Sequence, residues 1–462
     1  MLTSIGLRFF SFFPSVMDHD ESTYLIIGRD LLHGKSMYSE VTDTKPVGIF
    51  LFYTGLEYIF GSSIFWKRFV FAMIVGLTSF IIYAISKKLF KQNKVAIASG
   101  IIYVFYTSIW NYHGRSPNTE LLFNVFTSLG LLLLLQKNKW SYIVTGLVMG
   151  IGFMVKYLVL LDFVAFILFL FVIEMRDKNN HTKISVWIRY IVAGIAFLIP
   201  FGIVNLYFWM GDHFSDFYFV TYELPGNYGS SPSLTRYLAM ILDFTAKFLP
   251  ISFLIFYVVF SKNNPLDKEH KWFFMLWVIF VLFAIYLPGK ELSHYTIQLM
   301  LPLSLLAGIF FHSNFKPGKI TGLIYSKKYG WYLLILITLV IETIGFRNEY
   351  SKPDMEKEVA SYLSDKLEKN DAVFVSNYQQ IIYYLLHIDA PTKFIHSNLL
   401  FTENIKAFEI SANDEIKRII DSKPRFVLVQ RQNSFVEKMI KNDYKRIKDF
   451  GNQKVILYEL VN

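Results

Sequence analysis

The chain has 462 residues, of which 53% are hydrophobic and only 18% are charged. Soluble proteins carry about 25% charged residues, and 46 Phe and 29 Tyr give this chain more apolar surface than one soluble core can bury. These values exclude a soluble globular enzyme and a disordered chain, and the absence of cysteine excludes disulfides and thiolate chemistry. The composition therefore predicts an integral membrane protein.

The net charge of +10 is unevenly distributed along the chain. Residues 347–462 hold 18 Lys or Arg and 17 Asp or Glu, whereas the hydrophobic part before them holds 28 basic and 19 acidic residues. Basic residues that lie between apolar segments are typical of a membrane protein that obeys the positive-inside rule. We therefore expect the lipid bilayer, and no nucleic acid, to be the partner that explains the basic charge.

Apolar segments near the length that crosses a bilayer, about 20 residues, recur through the first three quarters of the chain. The predicted spans are residues 66–86, 95–111, 119–136, 141–156, 158–174, 185–209, 238–260, 271–287, 294–312 and 329–346. Residues 1–14 are too short to span, and we expect them to be the end of a first helix whose beginning is missing or lies upstream. Segment 46–62 is either a span or an interfacial helix. Only the interfacial position keeps the Lys-rich loops on the inner side, so we predict about eleven crossings with the tail outside.

The tail, residues 347–462, has the pattern of a soluble α/β domain. Helical stretches are predicted at 354–369, 378–387 and 412–421, and they alternate with β-prone runs at 372–376, 392–396, 425–430 and 453–459. No glycine-rich phosphate loop follows these runs, which argues against nucleotide binding. The predicted fold is a polytopic α-helical membrane domain over 1–346, with an outer juxtamembrane loop at 15–65, followed by an extracytoplasmic α/β domain over 347–462.

The first outer loop holds the most informative polar residues. Asp18, Asp20 and Glu21 follow the first apolar segment and precede an amphipathic stretch over residues 21–34. Carboxylates at a lipid boundary are partly desolvated, which suits them to act as bases or metal ligands. The alternative is that they are solvated acids that cap the helix.

Three motifs in chain order resemble the GT-C glycosyltransferases, in particular the protein O-mannosyltransferases and the lipid A aminoarabinose transferases. HDESTY (19–24) followed by TKPVGIF (44–50) is similar to the first periplasmic loop of that family. GRSPNTELLFN (114–124) resembles its second outer loop, and KELSHYTIQLMLPLSLLAG (290–308) resembles its late loop–helix junction. The resemblance covers nearly the whole chain and implies a GT-C fold in a bacterial-type inner membrane.

The resemblance also implies roles for individual residues. Asp20 is expected to be the base that deprotonates the acceptor, with Glu21 as its support and Glu120 as the second acid, although the family often has Asp where this chain has Glu120. A lipid-phosphate leaving group needs nearby cations, for which Lys45 is the best candidate, and Arg115 and Lys290 are expected to bind substrate in the same compartment. The expected substrate-binding residues also include Tyr24, His294 and Tyr295. The alternative interpretation of Glu120 is a helix-start carboxylate that the helix dipole favours.

No cofactor is certain from the sequence. A divalent metal is an open alternative, with Asp20 and His294 as weak candidate ligands, although a single His at a helix entrance is more often a hydrogen-bonding residue. The predicted function is transfer of a sugar from a polyprenyl-phosphate donor to a lipid, glycan or protein acceptor at the outer face. The alternatives are a transporter or flippase for lipid-linked saccharides, which would place ionisable residues at mid-membrane, and a non-catalytic envelope scaffold.

Overall fold

The structure is a computed structural model that describes residues 1–109, 114–176, 183–228, 233–261, 265–290, 292–315, 327–430, 434–452 and 454–461. The described part is mostly helical and divides into two compact units. The first unit comprises Met1–Phe12, Arg68–Leu206 and Ser230–Tyr350, and the second comprises Phe13–Lys67, Tyr207–Gly229 and Ser351–Asn462.

Most of the chain is organised as α-helices. In chain order they are α1 (Leu2–Gly6), α2 (His19–Leu32), α3 (Val47–Phe60), α4 (Ile64–Phe90), α5 (Asn93–Tyr106), α6 (Thr119–Leu134), α7 (Lys139–Val155), α8 (Val159–Arg176), α9 (Lys183–Met210), α10 (Phe214–Tyr218), α11 (Leu224–Tyr228), α12 (Leu234–Lys247), α13 (Leu249–Phe260), α14 (Lys268–Tyr286), α15 (Met300–Gly308), α16 (Lys327–Gly345), α17 (Met355–Ser364), α18 (Ile381–Leu385), α19 (Ser397–Leu400), α20 (Ala412–Asp421) and α21 (Ser434–Ile440). A 3₁₀ segment, Ser293–Leu299, leads directly into α15.

Every predicted span contains a helical segment, but the helices differ in length. Among the described residues, four helical segments are long and apolar enough to cross a membrane, and a fifth qualifies if α12 and α13, which meet at a 98° bend, form one span. The four are Ile64–Phe90, Lys183–Met210, Lys268–Tyr286 and Ser293–Phe311. The membrane character of the chain is thus supported by several helices, while the count of eleven crossings stays a prediction.

Small residues let two helices of the first unit approach closely. Gly146 and Gly150 lie one turn apart on α7, and a Cβ at either position would collide with a backbone carbonyl of α9, that of Ala193 or that of Phe197. Lipid gives helices little hydrophobic reason to associate, so membrane helices rely on such close backbone packing. The α7–α9 contact therefore has the character of a membrane helix pair.

The second unit contains a four-stranded sheet in the order β1-β2-β4-β3, with strands β1 (Val373–Ser376), β2 (Phe426–Gln430), β3 (Tyr444–Phe450) and β4 (Val455–Leu460). The pair β1–β2 is parallel, and the other two pairs are antiparallel. Ile416 and Ile419 of α20 pack in one buried cluster with Val427 and Val429 of β2. This buried cluster therefore lies between the sheet and the helical connection from β1 to β2.

Two details of the tail differ from the prediction. The β-prone run at 392–396 is not a sheet strand, because Phe394 forms only an isolated bridge with Thr42. Strand β3 was not predicted, since its sequence YKRIKDF carries charges that lie at the edge of the sheet. The predicted boundary between 1–346 and 347–462 stays a prediction, and the compact second unit also includes residues 13–67.

Candidate functional site

Helix α2 places the first-loop acids in the second unit. Asp18 is its N-cap, and the Asp18 carboxylate accepts a hydrogen bond of 3.2 Å from the backbone N–H of Asp20. Asp18 therefore has the capping role that the sequence offered as the alternative interpretation. Asp20 lies in the first turn of the helix and is available for other contacts.

The carboxylate of Asp20 contacts two side chains that are distant in sequence. Lys45 Nζ donates to Asp20 Oδ1 at 3.2 Å, and His396 Nε2 lies 3.0 Å from the same oxygen. The three side chains are mostly buried, with 18% of Asp20, 16% of Lys45 and 11% of His396 exposed. The structure therefore brings together Asp20 and Lys45, two of the predicted site residues, and adds His396.

The loop before α3 and the side chain of Tyr24 hold Lys45. The buried carboxylate of Asp43 accepts from the Lys45 backbone N–H at 3.1 Å and from Lys45 Nζ at 3.3 Å. Pro46, the next residue, is the N-cap of α3 and fixes where that helix begins. The Lys45 ammonium lies 5.3 Å from the centroid of the Tyr24 ring, a cation–π distance. Tyr24 thus contributes to the site through Lys45.

His19 joins the tail to the same group. Its ring stacks on the His396 ring at a centroid distance of 6.0 Å, and its Nδ1 lies 3.3 Å from the side-chain oxygen of Gln380 and from Ser397 Oγ. Burial, with a smaller contribution from His396, lowers the pKa of His19 below its ordinary value. No role was predicted for His19, His396 or Gln380, because nothing in the β-prone run 392–396 or in the rest of the tail indicates a contact with the first loop.

Glu21 belongs to a different, buried environment of the second unit. Its exposed fraction is 1%, and its carboxylate lies close enough to Lys67 and Tyr384 to interact with them electrostatically. Lys67 Nζ also contacts Glu57 at 2.5 Å, and the Tyr384 hydroxyl donates to Glu57 at 2.6 Å. The expected support of Asp20 by Glu21 stays a prediction.

The first unit holds Glu120, at the start of α6. Asn118 caps this helix by accepting from the backbone N–H of Leu121 at 3.1 Å, which places Glu120 in the first turn. The carboxylate is fully buried, is paired with the ammonium of Lys156, and accepts from Thr119 Oγ1 at 2.9 Å. Lys156 lies at the turn between α7 and α8 and was not predicted as a site residue.

Tyr295 and His294 lie in the 3₁₀ segment Ser293–Leu299. The Lys156 ammonium lies 3.8 Å from the centroid of the Tyr295 ring, and His294 interacts electrostatically with Glu120. Lys290 lies just before this segment, where burial lowers the pKa of its ammonium. Glu120, Tyr295 and His294, predicted from separate motifs, therefore meet around Lys156.

The 3₁₀ segment is fixed by two further polar contacts. Gln298 donates to the buried carboxylate of Asp162 at 2.5 Å, and the indole of Trp277 donates to the same carboxylate at 2.6 Å. Asn124, one turn after Glu120 on α6, donates to the carbonyl of Ile297 at 3.2 Å. These contacts hold the carboxyl end of the segment that carries Tyr295.

Arg115 lies elsewhere in the first unit. Its guanidinium pairs with the buried carboxylate of Glu349 at 2.9 Å and donates to the Ile341 carbonyl at 3.2 Å. It also lines a mostly apolar cavity of about 330 Å³ with Lys247 and Phe248. The expected substrate-binding role of Arg115 stays a prediction.

Within the described part of the chain, no three His, Asp or Glu side chains are grouped so that they could hold a metal ion. Asp20 contacts the Lys45 ammonium and the His396 imidazole, and His294 contacts the Tyr295 ring and interacts with the charge of Glu120. The metal-ligand role of Asp20 and His294 stays a prediction.

Known proteins resemble this chain in sequence and in fold. The family model for dolichyl-phosphate-mannose-protein mannosyltransferases matches residues 44–204. The undecaprenyl phosphate-alpha-4-amino-4-deoxy-L-arabinose arabinosyl transferase of Pseudomonas savastanoi pv. phaseolicola is 21% identical over 356 residues. That match covers 71% of this chain and 64% of the relative, so the chain spans less than two thirds of the relative's length.

Two solved structures of ArnT from Cupriavidus metallidurans share the fold. The structure bound to undecaprenyl phosphate has a TM-score of 0.70 at 12% identity and covers 100% of this chain and 97% of ArnT. The apo structure has a TM-score of 0.66 at 11% identity and covers 96% and 93%. The chain therefore has the GT-C fold and resembles the ArnT and protein mannosyltransferase glycosyltransferases.

Proposed function

We propose that this protein is a membrane glycosyltransferase that transfers a sugar from a polyprenyl-phosphate donor to a lipid, glycan or protein acceptor. The observation that carries the proposal is the Asp20 carboxylate, held by Lys45 at 3.2 Å and His396 at 3.0 Å in a chain with the GT-C fold. The names of the similar proteins support the class of donor, since one structure contains undecaprenyl phosphate and one relative is an arabinosyl transferase. Arabinose is a pentose and mannose is a hexose, so the proposed donor sugar belongs to one of these two classes.

Asp20 is the proposed general base. A base must come within hydrogen-bond reach of the hydroxyl that it deprotonates. Lys45 and His396 both contact Oδ1, so the orientation of the carboxylate is fixed before an acceptor arrives. Such preorganisation lowers the activation free energy, because the carboxylate need not be reoriented in the transition state.

The leaving group of the proposed reaction is a lipid phosphate, which develops negative charge as the sugar departs. Cations placed near that charge accelerate the departure. Lys45, which contacts Asp20 in the second unit, is the proposed cation. Lys290 is proposed as a substrate-binding residue of the first unit. Glu120, His294 and Tyr295 are proposed to shape the substrate site of the first unit around Lys156.

The position of the buried acids favours an enzyme over a transporter. Glu120 and Asp162 lie in the first turns of α6 and α8, and Glu174 lies at the end of α8. Transport by alternating access requires ionisable groups near the middle of the spans. The charge pattern supports an inner-membrane, multi-pass protein whose tail is extracytoplasmic.

Native mass spectrometry of the purified protein with its co-purifying lipids tests the proposal. Asp20→Asn is expected to keep a polyprenyl phosphosugar bound, because the amide preserves the shape of the side chain while losing its basicity. The matched control is Asp365→Asn, an exposed residue at the end of α17. If intact wild-type and variant proteins both lack any polyprenyl lipid, the donor assignment is wrong.

A further inference from the structure

A cavity of about 250 Å³ lies within the second unit. Three segments line it: the loop with Tyr38 and Thr42, the α10 region with Asp216 and Phe219, and the tail with Lys393 and residues 408–410. Cavities for drug-sized ligands measure about 300–1,000 Å³. This cavity is therefore of a size that suits one small ring.

Aromatic side chains form part of the wall. Phe219 is half-buried, and its ring lies 6.3 Å from the ring of the buried Phe408. Tyr38 is 2% exposed and packs against Phe217 at 6.0 Å. These contacts fix the aromatic wall and leave part of Phe219 accessible.

Charged groups of both signs accompany the aromatic rings. Lys393 Nζ lies 3.9 Å from Asp216 Oδ1, and the two side chains are 35% and 38% exposed. The separation is longer than a hydrogen bond, so a ligand hydroxyl between the two groups can be bound by both. Glu409 adds a second, exposed carboxylate.

Two wall residues have an uncommon backbone conformation. Tyr38 and Glu409 have φ values of 72° and 59°, in the left-handed region. Residues other than glycine adopt this conformation at a cost, and such residues cluster at binding sites. The backbone geometry is thus consistent with a built cavity wall.

The cavity is joined to the residues around Asp20. The Tyr38 hydroxyl donates to the Lys45 carbonyl at 3.2 Å, and the Thr42 backbone N–H donates to the Lys393 carbonyl at 2.9 Å. Lys393 lies three residues before His396, which contacts Asp20. A ligand in the cavity would therefore lie on the segments that orient the proposed base.

We propose that this cavity binds one neutral sugar ring, and that the ring belongs to a glycan acceptor. Carboxylates and an ammonium supply acceptors and donors for sugar hydroxyls, and the exposed part of Phe219 offers an apolar surface to the C–H face of the ring. The assignment to an acceptor rests on the proposed function. The binding of a sugar ring by the cavity does not depend on the proposed function.

Saturation-transfer NMR tests the cavity, with full-length protein in nanodiscs and the methyl glycosides of glucose, galactose, mannose and N-acetylglucosamine as probes. We expect at least one glycoside to bind, and Asp216→Asn or Phe219→Ala to weaken it about tenfold. The matched controls are Asp365→Asn and Phe435→Ala, since Phe435 is 39% exposed and belongs to the same unit. The absence of binding to the wild-type protein, or equal binding to all variants, would overturn the proposal.

Native mass spectrometry of the same samples separates this proposal from the proposed function. A retained polyprenyl phosphosugar without glycoside binding contradicts the cavity assignment alone. Glycoside binding without any polyprenyl lipid supports the cavity and contradicts the donor assignment. Displacement of the glycoside by a polyprenyl phosphosugar would place the donor sugar in the cavity and overturn the acceptor assignment.

Discussion

Lys156 Nζ lies 3.8 Å from the centroid of the Tyr295 ring. The same ammonium pairs with the buried carboxylate of Glu120. Glu120 and Tyr295 were predicted as site residues from two motifs about 170 residues apart in the printed sequence, and Lys156 is the residue that connects them. A buried ammonium with an acid on one side and a ring face on the other is strongly constrained in position.

Removing Lys156 should destabilise the first unit. Lys156→Met leaves Glu120 buried without its cation, and breaking one side of a buried pair costs about 3–5 kcal/mol. The double variant Lys156→Met with Glu120→Gln should lose less than the sum of the two single changes, because no charge is then left uncompensated. Denaturant unfolding of the four proteins measures this coupling. Strictly additive losses would contradict the pairing.

The contact of Tyr384 with Glu57 predicts that the tail and the first loop unfold together. The Tyr384 hydroxyl donates to Glu57 at 2.6 Å, and Lys67 contacts the same carboxylate at 2.5 Å. Tyr384→Phe should cost about 1–2 kcal/mol for the lost hydrogen bond, whereas Lys67→Met should cost about 3–5 kcal/mol. Hydrogen exchange should show faster exchange in both α3 and α18 for each variant. Faster exchange in only one of the two helices would contradict the coupling.

Gly28 and Gly55 provide a matched test of the α2–α3 contact. A Cβ at Gly28 would lie 2.8 Å from Cβ of Tyr53, whereas nothing lies within 4 Å of a Cβ at Gly55. Gly28→Ala should therefore destabilise the second unit by about 1–3 kcal/mol through overpacking. Gly55→Ala should stabilise it by about 0.5–1 kcal/mol, since alanine favours the helix. Thermal unfolding compares the two variants, and equal shifts in Tm would contradict the close approach.

His19 should make the second unit less stable in acid. Its pKa is lowered in the folded state, because burial and His396 outweigh the opposing effects of Asp18, Asp20 and the hydrogen bond with Gln380. The contribution of neutral His19 is therefore fully present above its ordinary pKa of about 6.5 and is lost as the pH falls below that value. Unfolding should be measured from pH 8 to pH 5 for the wild type and His19→Asn. Below about pH 6.5, the free energy of unfolding of the wild type should fall relative to that of His19→Asn. A difference that does not change with pH would contradict a buried, neutral His19.

The local elements of the tail followed from sequence pattern, but their pairing did not. Helix α20 occupies the predicted residues 412–421, since its Ile spacing matches a helical period. The run 392–396 has β-prone residues, yet it pairs with Thr42 of the first loop instead of the sheet. Strand β3 carries four charged residues among seven, and its edge position leaves Lys445 and Arg446 exposed. The pattern of residues indicates which face of a segment is apolar, whereas the tertiary structure determines which other segment it pairs with.

The candidate site likewise combines residues that were predicted from local motifs with residues that only the tertiary structure brings together. The contact between Asp20 and Lys45 joins two parts of one motif, 25 residues apart, and both residues were predicted. His396 lies 376 residues from Asp20, so its contact depends on how the tail packs within the second unit. Lys156 was not predicted as a site residue, and only the structure pairs it with Glu120.

The most direct test of the proposed function is a single-turnover measurement of donor consumption by Asp20→Asn, with Asp365→Asn as the control. Purified proteins in nanodiscs are mixed with the polyprenyl phosphosugar that co-purifies and with an acceptor extract, and the released polyprenyl phosphate is followed by mass spectrometry. We predict that the rate of the chemical step falls by about 10²–10⁴-fold for Asp20→Asn, while donor affinity changes little and the control keeps the wild-type rate. A wild-type rate for Asp20→Asn, with the donor bound and the protein folded, would contradict the role of Asp20 as the base.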